Sequence, residues 1–126
     1  MLGSEPLGAF VATTDVEAAR TFYAETLGLR LVDDTPFALV FGANGTTLRV
    51  TRVEEAVIAP YTVLGWEVAD VAATVTALTA HGVVFHRYDG MAQDDAGVWR
   101  SPGGALVAWF ADPEGNTLSV SQAPDA

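Results

Sequence analysis

The chain has 126 residues, half of them apolar, with sixteen acidic side chains against six basic ones, a net charge of −10 and no cysteine. Such an apolar share supports a compact core and excludes a disordered chain, and the missing cysteine excludes disulfides and thiolate metal sites. The charge repels nucleic-acid backbones and anionic membranes, no apolar run approaches the roughly 20 residues that span a bilayer, and the start lacks a signal-peptide pattern, so the expected setting is the cytoplasm.

Residues 7–13 are short, apolar and free of breakers, which predicts a strand. Asp15 caps a helix in which Val16, Ala19, Phe22, Tyr23 and Leu27 recur at helical spacing before Gly28. Residues 29–32 and 37–41 read as strands joined by a turn at 33–36, and an alternating strand at 46–53 follows. Residues 54–60 form a connector ending in Pro60. Residues 61–68 restart the pattern, and Asp70 caps a second helix with Val71, Val75 and Leu78 on its apolar stripe and Gly82 at its end. Residues 83–85 read as the next strand. A glycine-rich, acidic loop at about 86–104 follows, and residues 105–110 lead into a closing hairpin.

That hairpin is the longer of two copies. Gly115, Leu118 and Val120 repeat Gly45, Leu48 and Val50 at an offset of 70, whereas the helix caps Asp15 and Asp70 repeat at an offset of 55, so the second half carries about fifteen extra residues. The unit is β-α-β-β-β, present twice, at about 7–53 and about 61–122 of a single domain spanning 1–126. Alternation turns Leu48, Val50, Leu118 and Val120 to the core. Arg49 and Ser119 then share the opposite, polar face with Gly8, Phe10 and Ala12 of the first strand and with Val63, Gly65 and Glu67 of its copy. Gly8 and Gly65, lacking side chains, are expected to leave space there.

On that face Glu67 and Arg49 are the most chemically capable residues, a carboxylate and a guanidinium, with an ordinary ion pair as the simpler reading. His86 stands at the mouth of the long loop, and His81 closes the second helix. Trp99 lies inside the loop, where an aromatic ring serves as a lid over a planar ligand or as a contact with a partner chain. Trp66 has core parity.

The paired β-α-β-β-β units, the Asp15-Val16…Phe22-Tyr23…Leu27-Gly28-Leu29 run and the Asp112-Pro113-Glu114-Gly115-Asn116 turn together resemble the vicinal oxygen chelate superfamily, which includes glyoxalase I, extradiol dioxygenases and bleomycin-resistance proteins. The resemblance implies an α+β fold in which the two repeats form a curled mixed β-sheet cup with helices on its outer face, and a divalent metal held from the first and last strands of each unit. Carried over by position, those metal sites fall on Gly8, Arg49, Val63 and Ser119. None of these is a His, Gln or Glu, so no metal cofactor is expected.

The resulting expectation is a homodimeric, metal-independent protein holding a planar or cationic small molecule against Phe10, Arg49, Val63, Glu67, His86, Trp99 and Ser119. One alternative is a metal-free lyase or isomerase with Glu67 as general base and Arg49 stabilising an oxyanion. Another is a dimeric domain with no small-molecule role.

Overall fold

The computed structural model describes residues 1–125 and resolves into two compact units, 1–58 and 59 onwards. The first contains β1 (Gly8–Thr13), α1 (Val16–Arg20), a π-helical turn (Thr21–Thr26), β2 (Arg30–Asp34), β3 (Ala38–Ala43) and β4 (Thr46–Arg52). The second contains β5 (Thr62–Glu67), α2 (Val71–Ala80), β6 (Trp99–Arg100), β7 (Leu106–Ala111) and β8 (Thr117–Gln122). Each unit is thus one β-α-β-β-β repeat, and the fold is α+β. The sheet orders match, β1-β4-β3-β2 and β5-β8-β7-β6, with the first strand parallel to the last and the remaining pairs antiparallel.

Both helices start where the sequence places them. The Asp15 carboxylate accepts from the Ala18 N–H at 3.1 Å and the Asp70 carboxylate from the Ala73 N–H at 3.0 Å, each satisfying one of the orphan donors of a first turn. The α2 start gains a further acceptor, Gln122 Oε1, 2.9 Å from the Val71 N–H, which ties the helix to β8. Gly28 and Gly82 stop the helices at φ +76° and +91°, a left-handed conformation in which a Cβ is strained.

The alternation holds in both sheets. In the first unit Leu39, Phe41, Leu48 and Val50 are buried on the face toward Ala19 and Tyr23, whose ring lies 5.7 Å from Phe41. Burying each such side chain contributes about 1.5–3 kcal/mol. In the second unit Ala108, Phe110, Leu118 and Val120 are buried with Val71 and Val75 of α2, Trp66 is half-buried, and Phe85 packs edge-on against Phe110 at 5.5 Å.

Two expectations about strands change. Asp33 and Asp34 belong to β2 rather than to a turn, because Thr35 makes the turn one step later: its hydroxyl accepts from the Phe37 and Ala38 N–H groups at 3.1 and 3.0 Å. Residues 83–85 do not form the strand that follows α2. Val83 and Phe85 are buried and Val84 is exposed, an alternation that mimics a strand, but the segment is irregular, and His86 N–H just after it donates to Trp109 O at 2.7 Å. The ladder position beside β7 belongs to Trp99 and Arg100, opposite Val107 and Leu106. The extra residues therefore lie before that strand rather than after it.

Candidate functional site

Each sheet has one face turned away from its helix, and of the residues singled out on the polar face Gly8, Phe10, Arg49, Gly65, Glu67 and Ser119 keep that register. In the first unit Phe10 and Arg49 are directly opposed across β1 and β4, and both are exposed. In the second, Gly65 opposes Ser119 and Glu67 opposes Ser121 across β5 and β8. Val63 falls in a bulge of β5 between Thr62 and Leu64. Glu67 is exposed at the strand end, without the burial that desolvates a carboxylate serving as a general base.

Gly65 does not leave the room the sequence implies. A Cβ there would sit 2.7 Å from the Ser119 Oγ, so the serine already occupies the space, and at Gly8 the Phe10 ring lies 3.6 Å from the equivalent position.

Trp99 stands on β6, not in a hinged lid. It faces Val107, on the same side of the sheet as Trp109 and Ser119, and its ring is tilted 37° against that of Trp109 at 6.0 Å. Tyr88 meets the other edge of Trp109 at 5.6 Å, and His86 meets Tyr88 at 5.9 Å with its Nδ1 3.1 Å from the phenol oxygen. The result is a continuous aromatic wall from His86 through Tyr88 and Trp109 to Trp99. Beside it lies an open cleft of about 320 Å³ lined by Pro60, Tyr61, Thr62, Tyr88, Met91, Trp109 and Thr117.

The loop that carries Tyr88 is pinned from within. Gln93 donates to the carbonyls of His86 and Gly97 at 2.9 Å each and accepts from the Tyr88 N–H at 2.8 Å. Asp94 accepts from the Ala96 and Val98 N–H groups at 2.9 Å each, and the Arg87 guanidinium donates to the carbonyls of Asp94 and Asp95. These bonds, all within residues 86–98, hold the loop in one conformation. His81, as expected, ends α2, with its ring nitrogen 2.9 Å from the Ala77 carbonyl.

Sequence reasoning missed Trp109, Tyr88, Tyr61 and Met91. For Trp109 a signal existed: it alternates with the buried Ala108 and Phe110, which turns it to the polar face. The other three come together only through the loop and connector conformations, which no local pattern encodes.

The donor set does not suit a metal. Gly8 and Val63 carry no ligating atom, Arg49 is a cation and Ser119 a lone hydroxyl, and among the described residues no three His, Cys, Asp or Glu side chains converge. The Asp112-Pro113-Glu114-Gly115-Asn116 motif, by contrast, has a structural role. Asp112 is buried, one carboxylate oxygen accepts from the Glu114 and Asn116 N–H groups at 3.0 and 2.9 Å, and the other accepts from the Asn116 amide at 2.9 Å.

A sequence model of the Glyoxalase/Bleomycin resistance protein/Dioxygenase superfamily matches residues 7–120. No curated protein matches. Among solved structures, a glyoxalase family protein from Bacillus anthracis superposes with a TM-score of 0.74 at 16% identity over 95% of each chain. A lactoylglutathione lyase from Agrobacterium tumefaciens reaches 0.73 at 20% identity, covering 94% of this chain and 93% of its own. An antibiotic binding protein, TnmS3, from Streptomyces sp. CB03234 reaches 0.72 at 27% identity over 98% of each chain. With its paired repeats, sheet order and closing turn, the chain belongs to the glyoxalase/bleomycin resistance protein/dioxygenase superfamily.

Proposed function

We propose that this protein binds a planar small molecule without a metal cofactor, in the manner of the antibiotic-binding members of its superfamily. The observation that carries the reading is the aromatic wall: Tyr88 and Trp109 line an open cleft in the second unit, and Trp99 extends the wall beside Trp109. Aromatic side chains held in place by neighbouring rings offer their faces to planar molecules with little loss of side-chain entropy. The 27% identity to TnmS3 along nearly the whole chain supports the same direction. Metal independence rests on the chemistry of Gly8, Arg49, Val63 and Ser119. A homodimer belongs to the reading as well, because each sheet ends in open edge strands and Val32 of β2 and Phe37 beside β3 are exposed.

The test is a thermal-shift and tryptophan-fluorescence screen of planar antibiotics and metabolites, with and without EDTA. A hit is expected to keep its affinity in EDTA and to lose about tenfold or more in Trp109→Ala, as for a stacked aromatic anchor. Affinity that disappears with EDTA and returns with zinc or manganese overturns the metal-free part. Affinity unchanged in Trp109→Ala overturns the site.

A further inference from the structure

Net charge points this protein toward cations, but the distribution of its positive charge does not. The chain has no lysine, and its six basic residues are all arginines. Three serve the fold: Arg20 pairs with Glu17 and Asp34, Arg52 pairs with Asp34 at 2.7 Å and donates to the Thr35 carbonyl, and Arg87 ties the loop carbonyls. Of the remaining three, Arg30 and Arg49 stand on the same open face of the first sheet, and neither makes an ion pair among the described residues.

The strand register makes this face a shaped surface. Gly8, Thr47, Gly42 and Arg30 form one row across β1, β4, β3 and β2. At both glycines a neighbouring side chain lies over the missing Cβ. A Cβ at Gly42 would come 3.2 Å from the Arg30 Nη2 and 3.7 Å from its Nε, so the guanidinium lies over Gly42 of β3. At Gly8 it is the Phe10 ring, at 3.6 Å. Between them Thr47 presents an exposed side chain, and Arg49 stands in the adjoining row, flanked by Phe10 and Val40. Asp33 ends that row, with its Oδ1 accepting from the Asp34 N–H at 2.9 Å. The face thus carries an aromatic ring over Gly8 and a guanidinium over Gly42, with the Thr47 side chain between them.

We propose that the exposed sheet face formed by Phe10, Thr47, Arg30 and Arg49 recognises the anionic group of a planar ligand, an aromatic carboxylate, phenolate or sulfonate. Guanidinium groups match such oxygens through charge-assisted, bidentate hydrogen bonds, and the Phe10 ring adds an apolar surface for the attached ring system. This rests on the reading that the protein binds a planar small molecule, and it assigns that molecule an acidic group where the net charge alone points to a cationic one. In an acidic protein the arrangement also selects: a ligand must bring its negative charge to this patch or be repelled elsewhere.

Fluorescence titration with two probes tests it: 8-anilinonaphthalene-1-sulfonate, and N-phenyl-1-naphthylamine, which has the same rings without the sulfonate. Arg30→Gln and Arg49→Gln are each expected to weaken the sulfonate probe about five- to tenfold, and the neutral probe less than about twofold. Gly42→Ala, which pushes the Arg30 guanidinium aside, is expected to behave like Arg30→Gln. Arg100→Gln, which removes a cation from the second unit, is expected to leave both probes unchanged. If both probes bind but the sulfonate probe is indifferent to Arg30 and Arg49, or equally sensitive to Arg100, the anion site is wrong while small-molecule binding stands. If neither probe binds saturably to the unaltered protein, both readings fall.

Discussion

The two halves share a sheet order and differ in what secures their turns. In the first, the β3–β4 turn is two exposed residues, Asn44 and Gly45, with Asn44 held at φ +47°. In the second, the corresponding turn is organised by a buried carboxylate that satisfies two backbone N–H groups and a side-chain amide. The first half holds its elements together with surface charge, Asp34 joining Arg20 of α1 to Arg52 of β4. Donation to Glu17 and, with less effect, to Asp34 raises the Arg20 guanidinium above its ordinary pKa. Solvent screens exposed pairs of this kind, whereas unpaired buried donors cost about 1–3 kcal/mol. The second half therefore depends more on single polar residues than the first.

Breaking the closing turn gives the largest contrast. Asp112→Ala leaves several buried donors without acceptors and is expected to destabilise the protein by about 2–3 kcal/mol, while Asn44→Ala, in the other copy, costs under about 1 kcal/mol. Urea unfolding midpoints decide it; similar losses at the two positions would mean that burial does not distinguish the turns.

Gln93→Ala probes the loop that only the second half has. It removes three hydrogen bonds around Tyr88, and a loss of about 1–2 kcal/mol is expected, with faster amide exchange confined to residues 86–98. Unchanged exchange there would show that Arg87 and Asp94 suffice to hold the loop.

The smallest effect sharpens the comparison at the first strands. Gly65→Ala meets the Ser119 Oγ and is expected to cost about 1 kcal/mol, regained in the Gly65→Ala/Ser119→Ala double variant, whereas Gly8→Ala meets the Phe10 ring at ordinary contact distance and is close to neutral. A double variant no more stable than Gly65→Ala alone would place the cost elsewhere.

Local patterns in the sequence carried most of the fold. Asp15 and Asp70 cap where expected, Leu48 and Leu118 are buried where alternation puts them, and the offset copies mark the repeats. What escaped was set by non-local competition. Two residues, Trp99 and Arg100, have too little length to show a strand period, so the buried Val83 and Phe85 passed for the strand that they replace. On the site, the polar faces were legible from parity, but the aromatic wall was not, because Tyr88 reaches Trp109 only through the loop that Gln93 shapes.

The π-helical turn of the first unit records a difference in length. Gly28 lies thirteen positions after its cap Asp15, and Gly82 twelve after Asp70, so the first helix holds one residue more. The surplus is absorbed where Leu27 N–H reaches back to Phe22 O at 2.9 Å, a loop one residue wider than an α-helical turn. Downstream the chains are again equivalent: Leu29 N–H bonds to the Tyr23 carbonyl six residues back, and Val83 N–H to the Leu78 carbonyl five residues back. The widened turn thus acts as a length buffer. An insertion is contained within residues 21–26, and neither the cap before it nor the pairing of β2 after it has to shift.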